Sequence, residues 1–266
     1  MYQVDLNPEA LLGVGVDGCR GGWLAAFLLR DGPFFAVFPE WEPLLERLPW
    51  AGYDPGAGPA LEHGPRLLVD MPVGLPYEEI PVRACDAEAR RLLGPRRASV
   101  FSPPCREALD QPDHARACEV NRRITGRGLS IQSWNIAPRI HELDRAFRAG
   151  RAHADRVLEC HPELFFAALL GAPAQWPKRT PQGRTERVLA LTRLCPDAKD
   201  RIKKSLQEFG PAAAWDDCAD ALVLALAAGH TPLTRLGMDP LTAKIPRDRA
   251  GLPMTIHTPV PMGAAV

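Results

Sequence analysis

Asp216-Asp217-Cys218-Ala219-Asp220-Ala221-Leu222-Val223-Leu224-Ala225-Leu226-Ala227-Ala228 sets three carboxylates in the opening turn of a run that is otherwise apolar on every side. An all-round apolar helix belongs inside a core, and Gly229 reads as its stop. Burial makes an unpaired carboxylate costly, so something must compensate the charge. Helical spacing puts Asp216 and Asp220 four apart and Asp217 and Asp220 three apart, so two of the three can aim oxygens at one point. Asp216 reads as the N-cap, while Asp217 and Asp220 read as ligands of a cation, with the choice between them open.

Working outward, three further acids close apolar runs. Leu11 to Asp17 is a strand ending in Asp17, followed by the turn Gly18-Cys19-Arg20-Gly21-Gly22 and a second strand, Trp23 to Leu29, which makes a hairpin. Asp31-Gly32 turns into a third strand, Phe34 to Phe38, and a short helix is expected over Trp41 to Leu48. A loop is expected between 52 and 65. Arg66 to Pro72 is a strand carrying Asp70 and stopped by Pro72, and Arg156 to Pro162 is a last strand carrying Glu159. Helical patterns alternate with Pro-rich loops between Pro81 and Gly150. Helices over Thr185 to Leu194, Ala198 to Phe209 and Asp216 to Ala228 complete an α/β chain.

The 266 residues suffice for one α/β domain with a sizeable core. Hydrophobic residues make up 46% and charged residues 24%, the balance of a soluble globule. No apolar run approaches the ~18 to 20 residues of a membrane helix, and Met1 to Asp5 lacks the layout of a signal peptide, so no membrane partner and a cytoplasmic location are expected. Seven cysteines without a C-x-x-C pair read as reduced thiols. Net charge is zero, but between Arg83 and Arg151 fourteen Arg, no Lys and eight acids give +6. That segment can dock a polyanion, because the planar guanidinium donates two parallel hydrogen bonds to phosphate. Nothing in the sequence fixes an oligomeric state.

In an open α/β sheet ligands gather beyond the strand ends, so acids placed there converge. Convergent carboxylates repel unless a cation sits among them, and hard oxygen ligands suit Mg²⁺ or Mn²⁺. Two such ions can clamp the attacking and leaving oxygens of a phosphodiester.

The order of these elements resembles the ribonuclease H-like fold: an Asp-bearing hairpin, a third strand, an Asp-ended fourth strand and a final acidic helix. Asp217-Cys218-Ala219-Asp220-Ala221-Leu222 is similar to the metal-binding helix of RuvC-type Holliday-junction resolvases. More of the chain resembles a domain-of-unknown-function family described as predicted ribonuclease H-like nucleases. That likeness runs through Val16 to Trp23, Val69 to Pro76, Ser99 to Arg106, Ser130 to Ile136, Glu159 to Glu163, Lys178 to Arg187, the acidic helix and Gly251 to Ile256. It implies one domain over 1–266, with a mixed sheet whose first three strands form an antiparallel meander and whose later strands run parallel, and a helical Arg-rich insertion at about 77–155. It also implies a metal-dependent nuclease acting on nucleic acid or a nucleotide, with Asp17, Asp70 and Asp217 or Asp220 as ligands of Mg²⁺ or Mn²⁺. Glu159 would be a further ligand or supporting acid. Arg139 stands where the family pattern has Lys, so only a phosphate-contact role carries over.

Other residues invite roles beside plainer ones. His161 and Glu163, at a strand-to-helix corner, can position water or phosphate, or serve as hydrogen-bonded structure. Arg20, Arg97, Arg106 and Lys178 can contact phosphate or lie as surface charges. Gln132 and Asn135, three apart on a helix, can meet a base or ribose or form a buried polar network. Gly13-Val14-Gly15-Val16-Asp17-Gly18 has the letters of a dinucleotide loop, but strand follows where a helix is required and Asp17 would face the pyrophosphate with like charge. An ATP-dependent phosphotransferase of the actin and sugar-kinase type, or a non-catalytic nucleic-acid-binding module, are the alternative functions.

Overall fold

The computed structural model describes residues 10–48 and 65–260. Its central sheet contains β1 (Leu11–Cys19), β2 (Gly22–Leu29), β3 (Gly32–Phe38), β4 (Arg66–Val69) and β5 (Val157–Glu159), in the order β3-β2-β1-β4-β5. The first three strands form an antiparallel meander, and β4 and β5 run parallel to β1. Between β4 and β5 lie α2 (Ala84–Leu93), α3 (Arg106–Leu109), α4 (His114–Thr125) and α5 (Ile131–Arg148), while α1 (Trp41–Leu45) follows β3. After β5 come α6 (Pro162–Leu170), α7 (Pro181–Thr192), α8 (Ala198–Phe209) and α9 (Trp215–His230).

Side chains alternate across the sheet with period two, and the two faces bury different layers. Leu24, Ala26, Leu28 and Leu68 pack under α9, α6, α7 and α8. Trp23, Ala25, Phe27, Val14, Val16, Leu67 and Val69 pack against α1 and α5, through Trp41, Leu44, Ile140 and Leu143. On β1 the parity leaves Gly13, Gly15 and Asp17 on the α9 side. A Cβ at Gly15 would lie 2.0 Å from the Ala221 carbonyl oxygen and 2.3 Å from the Ala225 nitrogen, and one at Gly13 2.7 Å from Ala228. The glycines of the dinucleotide-like letters are thus where the backbone of α9 lies on the strand.

Several expected boundaries shift. The acidic helix begins at Trp215 and runs through Gly229 to His230, because Gly229 lies within 2.8 Å of Leu28 Cδ2 for any added Cβ and serves packing rather than termination. The helix expected over Thr185 to Leu194 is Pro181–Thr192, opened by Thr180, whose Oγ1 accepts the Gly183 N–H at 3.1 Å. An antiparallel pair, β6 (Leu233–Leu236) and β7 (Ile256–Pro259), was not expected; it sits at the end of β5, joined by a bridge between Cys160 and His257. The loop expected between 52 and 65 falls, except for Pro65, outside the described residues. All seven cysteines are free, as expected. Among the described residues no helix is long and apolar enough to cross a membrane.

Candidate metal centre

Parallel pairing of Val16 with Val69 brings the next residues, Asp17 and Asp70, side by side, and the Asp70 N–H donates to the Val16 carbonyl at 2.9 Å. Asp17 lies near the end of β1 and Asp70 just past the end of β4, both on the side that α9 covers. The close approach of α9 at Gly15 then delivers Asp220 from its second turn. One carboxylate oxygen from each of Asp17, Asp70 and Asp220 lies within 4.8 Å of the others. Asp17 and Asp220 are buried and Asp70 is half-buried. Asp220 Oδ1 is buried with no hydrogen-bond partner.

Burial, reinforced by Asp70 and Asp220, holds the Asp17 carboxyl well above the ordinary range. Burial likewise raises Asp70, against the opposing pull of His161 and Lys178. Asp220 is pushed up to about 6, again chiefly by burial, although Lys178 Nζ lies 2.6 Å from its Oδ2. Burial works against the Lys178 ammonium too, but Asp220, Asp17 and Asp70 together outweigh it and raise its pKa. Lysine and acids therefore shift the same way: one cation is shared among several carboxylates and neutralises none of them fully. Lys178, expected only as a phosphate contact or surface charge, stands inside the cluster.

The two neighbouring acids do other work. With Ala214 as the N-cap residue, Asp217 is the third helical position, and its Oδ2 accepts the Ala214 N–H at 2.8 Å. Asp217, not Asp216, provides the side-chain cap, because the helix starts one residue earlier than expected. Asp217 lies outside the trio, though its charge still repels Asp17. Asp216 rests at 3.9 Å from both Lys178 Nζ and Arg179 Nε.

Glu159 does not join the trio. Its register with Val69 places it on the opposite sheet face from Asp17 and Asp70. There Oε2 accepts the Val73 N–H at 2.8 Å and Oε1 pairs with buried Arg83, and burial lifts the carboxyl to about 7. His161 is likewise spent at both nitrogens. As the N-cap of α6, it accepts the Glu163 N–H at Nδ1 (3.3 Å), and its Nε2 lies 3.1 Å from the Ser99 carbonyl, which assigns the proton to Nε2.

Glu163 comes closer to the chemistry than Glu159. Its Oε1 receives Arg187 Nε at 3.1 Å and Nη2 at 2.5 Å, whereas Oε2 is buried without a partner, and its charge raises both Asp70 and Asp220. The fully buried Arg187, unforeseen from the sequence, also donates to the Trp176 and Gly183 carbonyls. The signal available was the stretch Lys178 to Arg187 itself, which holds both cations of this corner.

The expected phosphate contacts scatter. Arg106 makes bonds of 2.8 to 3.1 Å to Asp144 and one of 2.5 Å to Asp248, so it is an internal crosslink rather than a free donor. Arg139 pairs with Glu142 at 3.2 Å and lies over the Trp23 ring. Arg20 and Arg97 are exposed, on the β1–β2 turn and before Val100. Gln132 and Asn135 are exposed on α5, which removes the buried-network reading.

Residues 15–236 match the family described as Protein of unknown function (DUF429). The chain belongs to this family. The DUF429 match contains Asp17, Asp70, Lys178 and Asp220 together, along with Glu163 and Arg187. No curated protein and no solved structure matches the chain.

Proposed function

We propose that this chain is a metal-dependent phosphodiesterase of ribonuclease H-like fold, acting on nucleic acid. The carrying observation is the trio Asp17, Asp70 and Asp220, whose oxygens converge within 4.8 Å in a largely buried setting. The sheet order, with an antiparallel meander followed by two parallel strands and a closing acidic helix, supports the same reading.

The residues fit a hard divalent cation. They offer oxygen only, their charges are mutually unfavourable, and Asp220 Oδ1 has no other partner. Asp17, Asp70 and Asp220 would hold Mg²⁺ or Mn²⁺, and Glu163 Oε2 is the neighbouring oxygen still unspent. When bound, such an ion supplies Lewis-acid stabilisation of phosphoryl oxygens and lowers the pKa of water. The chain's own groups do the rest. Lys178 brings a cation to the cluster, suited to a non-bridging phosphate oxygen. Arg187 fixes Glu163, and His161 fixes the first turn of α6 against the Ser99 loop.

The test pairs Mn²⁺ calorimetry with cleavage of single- and double-stranded DNA and RNA and a four-way junction. Asp17→Asn and Asp220→Asn are each expected to abolish Mn²⁺-dependent cleavage while keeping the folded circular dichroism spectrum. Full activity in either variant overturns the assignment. ATP hydrolysis stimulated by a small alcohol, with no strand cleaved, would point to a phosphotransferase.

A further inference from the structure

A cavity of about 510 Å³ opens in the helices between β4 and β5, with none of the three converging carboxylates in its walls. Its walls come from α2 (Arg83 just before it, and Asp86), the Val100–Pro103 segment, the end of α4 with the Arg127–Ser130 loop, and the start of α5 at Gln132 and Ser133. The size falls within the range of pockets that enclose a small organic ligand. We propose that it receives the base of one unpaired nucleotide of a single-stranded nucleic acid, an inference that rests on the phosphodiesterase reading and gives it a substrate class.

The lining chemistry selects a flat ring with donors and acceptors on its edge. Phe101 is 38% exposed, an unusual position for a large aromatic side chain, and offers an uncovered stacking face. Gln132 is exposed at the cavity and carries an amide donor and acceptor together. The buried pair Arg83 and Asp86 lies in the floor. Because Arg83 and Asp86 lie side by side, with Nε 3.5 Å from Oδ1, the floor has no excess positive charge and does not suit a phosphate. The exposed Arg127 guanidinium does suit one, next to the base.

The walls are held before any ligand arrives. Asn121 accepts the Cys105 N–H at 2.8 Å and donates to the Arg127 carbonyl at 2.9 Å, and Arg90 donates to the Val100 carbonyl and to Ser102 Oγ. Such preorganisation lowers the ordering cost of binding. On the side facing β5, the Ser99 carbonyl accepts the His161 Nε2–H at the N-cap of α6. Arg83 pairs with Glu159, which lies in register with Val69 immediately before Asp70. A paired base is stacked and has its edge occupied, so a duplex cannot enter without flipping.

The experiment is fluorescence anisotropy in EDTA, with a labelled single strand of about ten nucleotides and the same strand in a duplex, a length within the usual range of single-strand sites. The single strand is expected to bind more tightly than the duplex. Phe101→Ala should weaken strand binding by about tenfold, the usual scale for a lost stack, Phe101→Trp should restore it, and Gln132→Ala should weaken binding through the lost amide contacts. Asp220→Asn, which removes a carboxylate outside the cavity, should bind the strand at least as tightly as wild type. Unchanged binding in Phe101→Ala, or equal binding of duplex and single strand, overturns the proposal. If Mn²⁺-dependent cleavage is lost in Asp220→Asn while Phe101→Ala binds as wild type, the cavity assignment alone fails. Strand binding sensitive to Phe101 without cleavage of any nucleic acid sustains the cavity and overturns the phosphodiesterase reading.

Discussion

Lys178 and Asp220 form the decisive pair at the scale of single residues. The 2.6 Å contact places an ammonium on an oxygen that a divalent ion would also claim, so the two cations compete for Asp220 Oδ2. Lys178→Met keeps much of the side-chain bulk and removes the competitor. Its metal-free form should melt lower, because three close carboxylates lose their nearest compensating charge. Its Mn²⁺ affinity should rise on the order of tenfold, a modest fraction of the Coulomb energy of two charges at this separation. Titration calorimetry on the two proteins decides the sign, and weaker Mn²⁺ binding in Lys178→Met would mean that the lysine supports the ion instead of standing in for it. Asp217 gives a contrasting case three residues away. Its Oδ2 is committed to the Ala214 N–H, so Asp217→Ala should cost about 1 kcal/mol of stability, the usual value of a lost cap, and leave Mn²⁺ binding in place. Calorimetric loss of Mn²⁺ in Asp217→Ala would return that residue to the ligand set.

At the scale of elements, the site depends on how closely α9 lies on β1. Gly15→Ala would drive a methyl group to 2.0 Å from the Ala221 carbonyl oxygen, against backbone that cannot rotate away. The cost should reach or exceed ~3 kcal/mol, the upper part of the usual overpacking range, and urea denaturation would show it as a lowered midpoint. A midpoint within error of wild type would mean that α9 can lift from the strand, and with it Asp220. The same elements show what the sequence makes legible. Leu11 to Asp17, Trp23 to Leu29 and Arg66 to Asp70 are runs whose composition announces strands, and the parallel register of the first and third follows once their closing acids, Asp17 and Asp70, are asked to meet. The hairpin β6–β7 was hidden because Leu233–Leu236 and Ile256–Pro259 are four residues each, half-polar, and paired across a long irregular connection. Glu159 looked equivalent to Asp70 because each ends a strand; a one-residue difference in parity sends it to the other face, where Arg83 holds it. Arg106 looked like a free cation because Asp144 and Asp248, its partners, lie 38 and 142 residues away in the chain.

At the scale of the whole molecule, the raised carboxyls link folding to pH. Asp220 moves from an ordinary 3.8 to about 6 and Glu159 from 4.5 to about 7, and Asp17 and Asp70 are raised as well. A raised carboxyl binds its proton more tightly in the folded chain than in the unfolded one, so folding takes up protons across this range. The stability these groups contribute is complete below their unfolded values near pH 4 and is lost as pH rises through about 6 to 7. Buried His257, lowered to about 4, works the other way only up to its unfolded value near 6.5, so metal-free protein should melt progressively lower from pH 6.5 to pH 8, in EDTA and at fixed ionic strength. A divalent ion offsets the trio's part of the slope, because it binds the ionised trio that pH 8 creates and binds little of the protonated form. With free Mn²⁺ at about a hundredfold excess over its Kd, the gain at pH 8 should be about 2.7 kcal/mol, shrinking toward pH 5. Thermal scans over that range, with EDTA and with Mn²⁺, separate the contributions: Glu159 lies outside the trio, so its share of the pH slope should survive in Mn²⁺, whereas that of Asp17, Asp70 and Asp220 should vanish. A metal-free melting temperature that rises from pH 6.5 to pH 8 would mean that the trio is comfortably ionised without an ion, and the case for a cation at its centre would fall with it.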